Sequence, residues 1–222
     1  HYTFVLASTF DKMHFYGRNN GVGKTSWNFG QKPYEFTPPS GFVPLASHNL
    51  ESASILKPQK HFEPVLWTGN GGTSQTVTGL QFKPDFVWIK GTNAAWNRLQ
   101  NSGTGANNLM YTNSQNAEVT NAANGYVSSF TNDGFILADP DGNGGGVNQN
   151  GNTYLAWCWK AGGAAVTNTV GTISSQVSAN DEAGFSIVTY TGDGNGSGSV
   201  GTGLRQNQPL GMAIVKRRDA SS

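Results

Sequence analysis

The apolar positions of this chain alternate in short runs and rarely recur at helical spacing. Residues 62–68 read FEPVLWT, which places Val65 and Trp67 on one strand face and Phe62, Pro64 and Leu66 on the other. Pro64 has no N–H to give to a ladder, so this strand is expected at an edge or a bulge. Residues 85–89 (DFVWI) are apolar on both faces, the pattern of a strand between two layers. Residues 127–130 and 134–137 read as two strands joined by the turn Thr131-Asn132-Asp133-Gly134. The strongest strand signal is TYLAWCWK at 153–160, with Leu155, Trp157 and Trp159 on one face and Tyr154, Ala156 and Cys158 opposite. A weaker alternating segment lies in residues 1–16. Residues 91–125 are polar apart from Leu109-Met110-Tyr111, and residues 164–183 read as a Thr/Ser/Val connector. The best helix candidate, around Ser114 to Ala123, is short and Asn-rich. Short strands punctuated by Gly/Asn turns predict an all-β, antiparallel sandwich.

One pattern occurs twice. Phe62, Val65, Trp67 and Thr68-Gly69 align with Phe185, Val188, Tyr190 and Thr191-Gly192. After a Gly-rich gap, Gly79-Leu80 aligns with Gly203-Leu204, and an apolar run then ends in Lys90 or Lys216. The period is about 123 residues, the difference between Phe62 and Phe185, which is the size of a domain and not of a solenoid repeat. The reading is one complete β-sandwich module over 61–165, flanked by linkers at 50–60 and 166–183. The start of a second, truncated copy occupies 184–222.

Composition narrows the function classes. Charged residues make up 12% of the chain, against about 25% in an ordinary domain. Mean hydropathy is still −0.41, because the polarity comes from 30 glycines together with Asn, Ser and Thr. The net charge of +1 implies no acidic polymer as partner, hence no nucleic acid. No apolar run approaches the ~18 residues of a membrane-spanning helix, so no membrane insertion is expected. The lone Cys158, between two tryptophans, reads as a small buried hydrophobe and not as a nucleophile.

Two constellations stand out as candidate sites. Asp139-Pro-Asp141-Gly-Asn143-Gly144 matches the first half of a calcium loop, in which alternate oxygen ligands wrap a hard cation. The bidentate Glu at its twelfth position is replaced by Asn150. Most tryptophans are expected in the core, but Trp96 lies in the polar stretch TNAAWNR. With Asn93, Asn97 and Arg98 it could form a shallow glycan-contacting patch. Gly21-Val22-Gly23-Lys24-Thr25 lacks the leading Gly of a phosphate-binding loop and reads as a hairpin turn. No paired carboxylates, no Ser/His/Asp order and no zinc spacing is evident, so the expectation is a chain without catalytic residues or cofactor, calcium excepted.

Two segments resemble known families. NFGQKPYEFTPPSGFVPL (28–45) resembles the C-terminal end of SPRY-like domains of phage structural proteins, which assigns residues 1–49 to the end of such a β-domain. The motifs HFEPVLWTGNG, GLQFKPDFVWIK, SSFTNDGFIL, YLAWCWKAGG and GFSIVTYTGDG resemble a repeated module of tailed-phage virion proteins. An Asp followed by an Arg-Gly step, common in such modules after the first Trp-Ile-Lys strand, is replaced here by NRLQNSGTGANNLMY. The resemblance implies concanavalin-like or jelly-roll-like sandwiches and an extracellular, virion location, in a tail fibre or appendage. It further implies other virion proteins as partners, a host-surface glycan as ligand, and homo-oligomers. Alternatives are a lectin-like module of a bacterial surface and, further off, a capsule depolymerase with two converging carboxylates.

Overall fold

The computed structural model describes Thr37, Ser40 and residues 55–92, 97–142, 145–205 and 209–219. The chain divides into His1–Ala53 and Ser54–Ser222, and every described strand belongs to the second unit. The expected N-terminal strand, the Gly21–Thr25 turn and the SPRY-like segment lie outside the described residues, Thr37 and Ser40 apart.

A 3-10 turn at Pro58–Lys60 leads into β1 (Phe62–Thr68). The first body continues through β2 (Ser74–Thr78), β3 (Phe86–Gly91), β4 (Asn97–Asn101), β5 (Gly105–Tyr111) and β6 (Val119–Thr120). It closes with β7 (Tyr126–Thr131), β8 (Gly134–Ala138) and β9 (Thr153–Trp159). Then come β10 (Val166–Asn168), β11 (Ser175–Asn180) and β12 (Phe185–Tyr190). The named strands all pair antiparallel. The fold is an all-β antiparallel sandwich. A six-stranded sheet runs β1-β9-β3-β4-β5-β6, and a three-stranded sheet runs β2-β8-β7.

The core lies between these two sheets. Trp67, Val87, Ile89, Tyr154, Ala156 and Cys158 come from the large sheet, and Val77, Val127, Phe135 and Leu137 from the small one. Trp67 binds the layers together: it stacks on Tyr154 at 5.3 Å and meets Phe135 edge-on at 5.6 Å. Burying side chains of this kind stabilises the fold by about 1.5–3 kcal/mol each.

Pro64 sits where its chemistry requires. Lys160 donates its backbone N–H to His61 O, and Gly69 donates to Asn152 O, so the odd-numbered residues of β1 face β9. Pro64, an even position, directs its missing N–H toward the side of β1 that carries no strand among the described residues.

The tryptophans of β3 and β9 are not in the sandwich core. Tyr154, Ala156 and Cys158 face inward, while Trp88, Trp157 and Trp159 lie half-buried on the opposite face of the large sheet. There Trp88 packs edge-on to Trp157, and Trp159 contacts Phe62 and Phe86. β3 therefore has two apolar faces because one is buried in the core and the other is covered in part.

Three expectations change. Residues 114–123 form no helix; they hold the two-residue β6 and turns. The polar stretch 91–125 contains the whole of β4 and β5. The 166–183 connector supplies β10 and β11, which pair with β12 in a separate sheet of order β10-β11-β12.

Candidate functional site

β4 is polar on its core-facing side. The register Ile89↔Arg98↔Tyr111 puts Arg98 in the row of Ile89 and Ala156, and Val87↔Gln100 puts Gln100 in the next core row. Both side chains are fully buried. Gln100 clamps the small sheet: its Oε1 accepts the N–H of Val127 at 2.8 Å, and its Nε2 donates to Val127 O at 3.0 Å and to Ala106 O. Arg98 Nη1 donates to Gly125 O, immediately before β7. A neighbouring pair of polar side chains thus ties the two sheets together across an otherwise apolar core.

The sequence suggests Arg98 for an exposed glycan-contacting patch; it is instead at 0% exposure inside the sandwich and cannot touch a surface ligand. Asn97 opens β4 half-buried, and Asn93 and Trp96 lie outside the described residues. Burial pushes the Arg98 guanidinium below its ordinary pKa, while Tyr111, Tyr154, Asp139 and Asp141 oppose that shift. One member of the sugar-binding set therefore meets two members of the calcium set. Asp139 is also at 0% exposure, whereas Asp141 is exposed, and Asn143 lies outside the described residues. The buried Asp139 carboxylate thus lies within electrostatic reach of the buried Arg98 guanidinium. Among the described residues no cluster of three His, Cys, Asp or Glu is placed to hold a metal.

The loop after β8 folds over this polar centre and locks to the loop after β1. Gly146 lies against the Arg98 guanidinium so closely that a β-carbon would overlap it. Trp67 Nε1 donates to Val147 O at 3.0 Å. The buried Asn148 donates to Asn70 Oδ1 and Gly72 O at 2.7 Å and accepts the N–H of Asn70. Backbone bonds Gly71 N–Asn148 O and Gly151 N–Gly69 O complete the clasp. The glycines of 69–72 serve this close approach of two backbones: a β-carbon at Gly69 would collide with Asn148 and Gln149.

A second feature lies at the far end of β9. A groove of about 700 Å³ is lined by His61, Lys83, Asp85, Lys160, Asn180 and Glu182, among others. Asn180 Nδ2 donates to Lys160 O at 3.0 Å and lies 2.9 Å from His61 Nδ1; with that amide donating, the ring proton sits on Nε2. His61 Nε2 is 3.5 Å from Glu182 Oε1. Asp85 is committed to structure, because its Oδ2 accepts the N–H of Ala161 at 2.9 Å. Asp181, which also borders the groove, is held below the usual carboxylate range by the side-chain bond from Arg205. Nothing in the sequence singles out this groove, because its residues come from six separate segments.

Cys158 is buried in the core, and burial followed by the nearby charge of Glu63 pushes its thiol up to about 12. That is the inert, hydrophobe-like cysteine expected.

The geometry defines an all-β packing module with an internally braced core. Residues 57–222 match the family described as Domain of unknown function (DUF7483), and the chain belongs to that family. No curated protein and no solved structure matches it.

Proposed function

We propose that this chain is a non-enzymatic structural module of a phage virion, in a tail fibre or similar appendage, assembling with other virion proteins outside the cell. The observation that carries the reading is the way the second copy is seated on the first. Phe185, the first residue of β12, stacks on Trp159 at 5.9 Å and meets Phe86 edge-on at 5.6 Å. Gly103, in the β4–β5 turn, packs against Ile187 so tightly that a β-carbon would lie 2.9 Å from its methyl. Consecutive copies locked by aromatic contacts suit an extended, stiff rod. The low charge and Gly/Asn/Ser/Thr-rich surface suit a protein outside the cell. The virion assignment itself rests on the sequence resemblance. Antibody raised against residues 57–222 should decorate a fixed position on purified particles in electron micrographs; particles left unlabelled, with the antigen free in the medium, would overturn the reading.

The second reading, a lectin-like module of a bacterial surface, draws on the groove at His61. Its size falls in the range of small-ligand sites, and Lys83 and Lys160 offer hydrogen-bond donors suited to a hydroxyl-rich sugar. A glycan array probed with the chain and with Lys160→Ala separates the cases. Retention lost in the variant supports sugar recognition there, and equal signals remove it.

A further inference from the structure

The clasp between the loops after β1 and β8 is built on asparagine-glycine pairs. Asparagine is chemically labile, and a following glycine has no β-carbon to hinder its amide nitrogen. Three such pairs lie among the described residues of the first copy: Asn70-Gly71, Asn124-Gly125 and Asn150-Gly151. Each glycine N–H is committed inside the fold. Gly71 donates to Asn148 O at 2.8 Å, Gly125 to Ala122 O at 3.1 Å and Gly151 to Gly69 O at 3.0 Å.

The three pairs differ in everything else. The Asn70 carboxamide is pinned, because its Oδ1 accepts the N–H of Gly72 at 2.8 Å and Asn148 Nδ2 at 2.7 Å. Gly125 is buried and held through its C=O as well, which accepts Arg98 Nη1. Asn150 and Gly151 are both exposed, and the Asn150 carboxamide has no hydrogen-bond partner among the described residues. At that pair the bond from Gly151 to Gly69 O is what holds the reacting nitrogen in place.

We propose that Asn150 is a site of spontaneous deamidation, with water as the only co-reactant, and that opening of the clasp sets its rate. When the Gly151 N–H leaves Gly69 O, the nitrogen loses its proton and attacks Asn150 Cγ. The new C–N bond closes a succinimide ring, and the bond from Cγ to the amide nitrogen breaks. Ammonia leaves with the proton, and no electrons change hands. Water then opens the ring at either carbonyl, giving aspartate or isoaspartate. The isoaspartyl product routes the main chain through the former side chain and adds a backbone carbon between two clasp bonds, Gly71 N to Asn148 O and Gly151 N to Gly69 O. Those bonds no longer meet together, so the loop that packs Gly146 against Arg98 loosens as the protein ages.

The test ages the whole chain in mildly alkaline buffer, native and in urea, and follows amide-to-acid conversion at each asparagine by mass spectrometry of its peptides. In the native chain Asn150 should convert at least about tenfold faster than Asn70 and Asn124, and at least about tenfold slower than Asn150 in urea. Asn148→Ala, which removes the side-chain bonds to Asn70 and Gly72, should speed Asn150 severalfold and leave Asn124 unchanged. Equal native rates at the three asparagines, a native Asn150 rate equal to that in urea, no rise at Asn150 in Asn148→Ala, or a rise there shared equally by Asn124 would each overturn the proposal.

Discussion

Gly146 and Arg98 occupy adjoining space so fully that the glycine has no room for a side chain: the guanidinium lies where its β-carbon would be. Arg98 is buried and cannot swing into solvent, and its Nη1 is already bonded to Gly125 O. Gly146→Ala should therefore destabilise the module by about 1–3 kcal/mol, the usual cost of overpacking. Urea unfolding of the chain and the variant measures this. Gly145→Ala next to it, where a β-carbon meets nothing within 4 Å, is the control and should change stability little.

Gln100 carries a second load. It bonds both the N–H and the C=O of Val127, which is itself fully buried. Gln100→Leu keeps the volume but orphans those backbone groups, so a loss of about 1–3 kcal/mol is expected. Gln100→Glu should cost at least as much, because a carboxylate cannot donate to Val127 O. Equal stability of all three forms in denaturant titrations would show that the clamp contributes nothing.

Cys158 makes a pH prediction. Its folded pKa of about 12 lies above the unfolded reference of 9.0. Below pH 9 both states hold the proton and the group has no effect on stability. Between 9 and 12 the unfolded chain releases the proton and the folded chain keeps it. This contribution to stability therefore falls as pH rises, by up to about 1.4 kcal/mol per pH unit. Cys158→Ala should flatten that part of the curve, measured as the difference between the two proteins at pH 8 and pH 10. In the native state the thiol should also resist a thiol-reactive dye that labels it readily in denaturant.

Phe185 tests the seating of the second copy. Phe185→Ala removes the stack on Trp159 and the edge contact with Phe86. Exchange in β11 and β12 should rise severalfold while β7 and β8 stay protected. A uniform rise across both would mean that the two sheets unfold as one unit and that the contact is not local.

β1, β9 and the β7–β8 hairpin are legible in the sequence because their apolar runs are compact and are bounded by Asn, Asp and Gly. β4 is not, because its inward positions are Arg98 and Gln100; a polar residue facing the core has the same appearance in sequence as one facing water. β2 presents only Val77 inward, too little for a period to show. β10 and β11 are hidden in Thr, Ser and Val, whose β-branched side chains are the only signal available. The candidate sites suffer for the same reason. Arg98 looks solvent-facing beside Asn97, and the hydrogen bond that draws it inward ends on a residue 27 positions away. Asp139 has the pattern of a cation ligand, and its burial within electrostatic reach of Arg98 is visible only in the fold.

Pro64 and Ile187 occupy the same place in the two copies and have opposite consequences. Pro64 removes one of the backbone donors on the outer side of β1, while Ile187 at the matching place pairs with Ser178 of β11. One register position thus meets two different fates: it costs the first copy a backbone bond and lies within a ladder in the second.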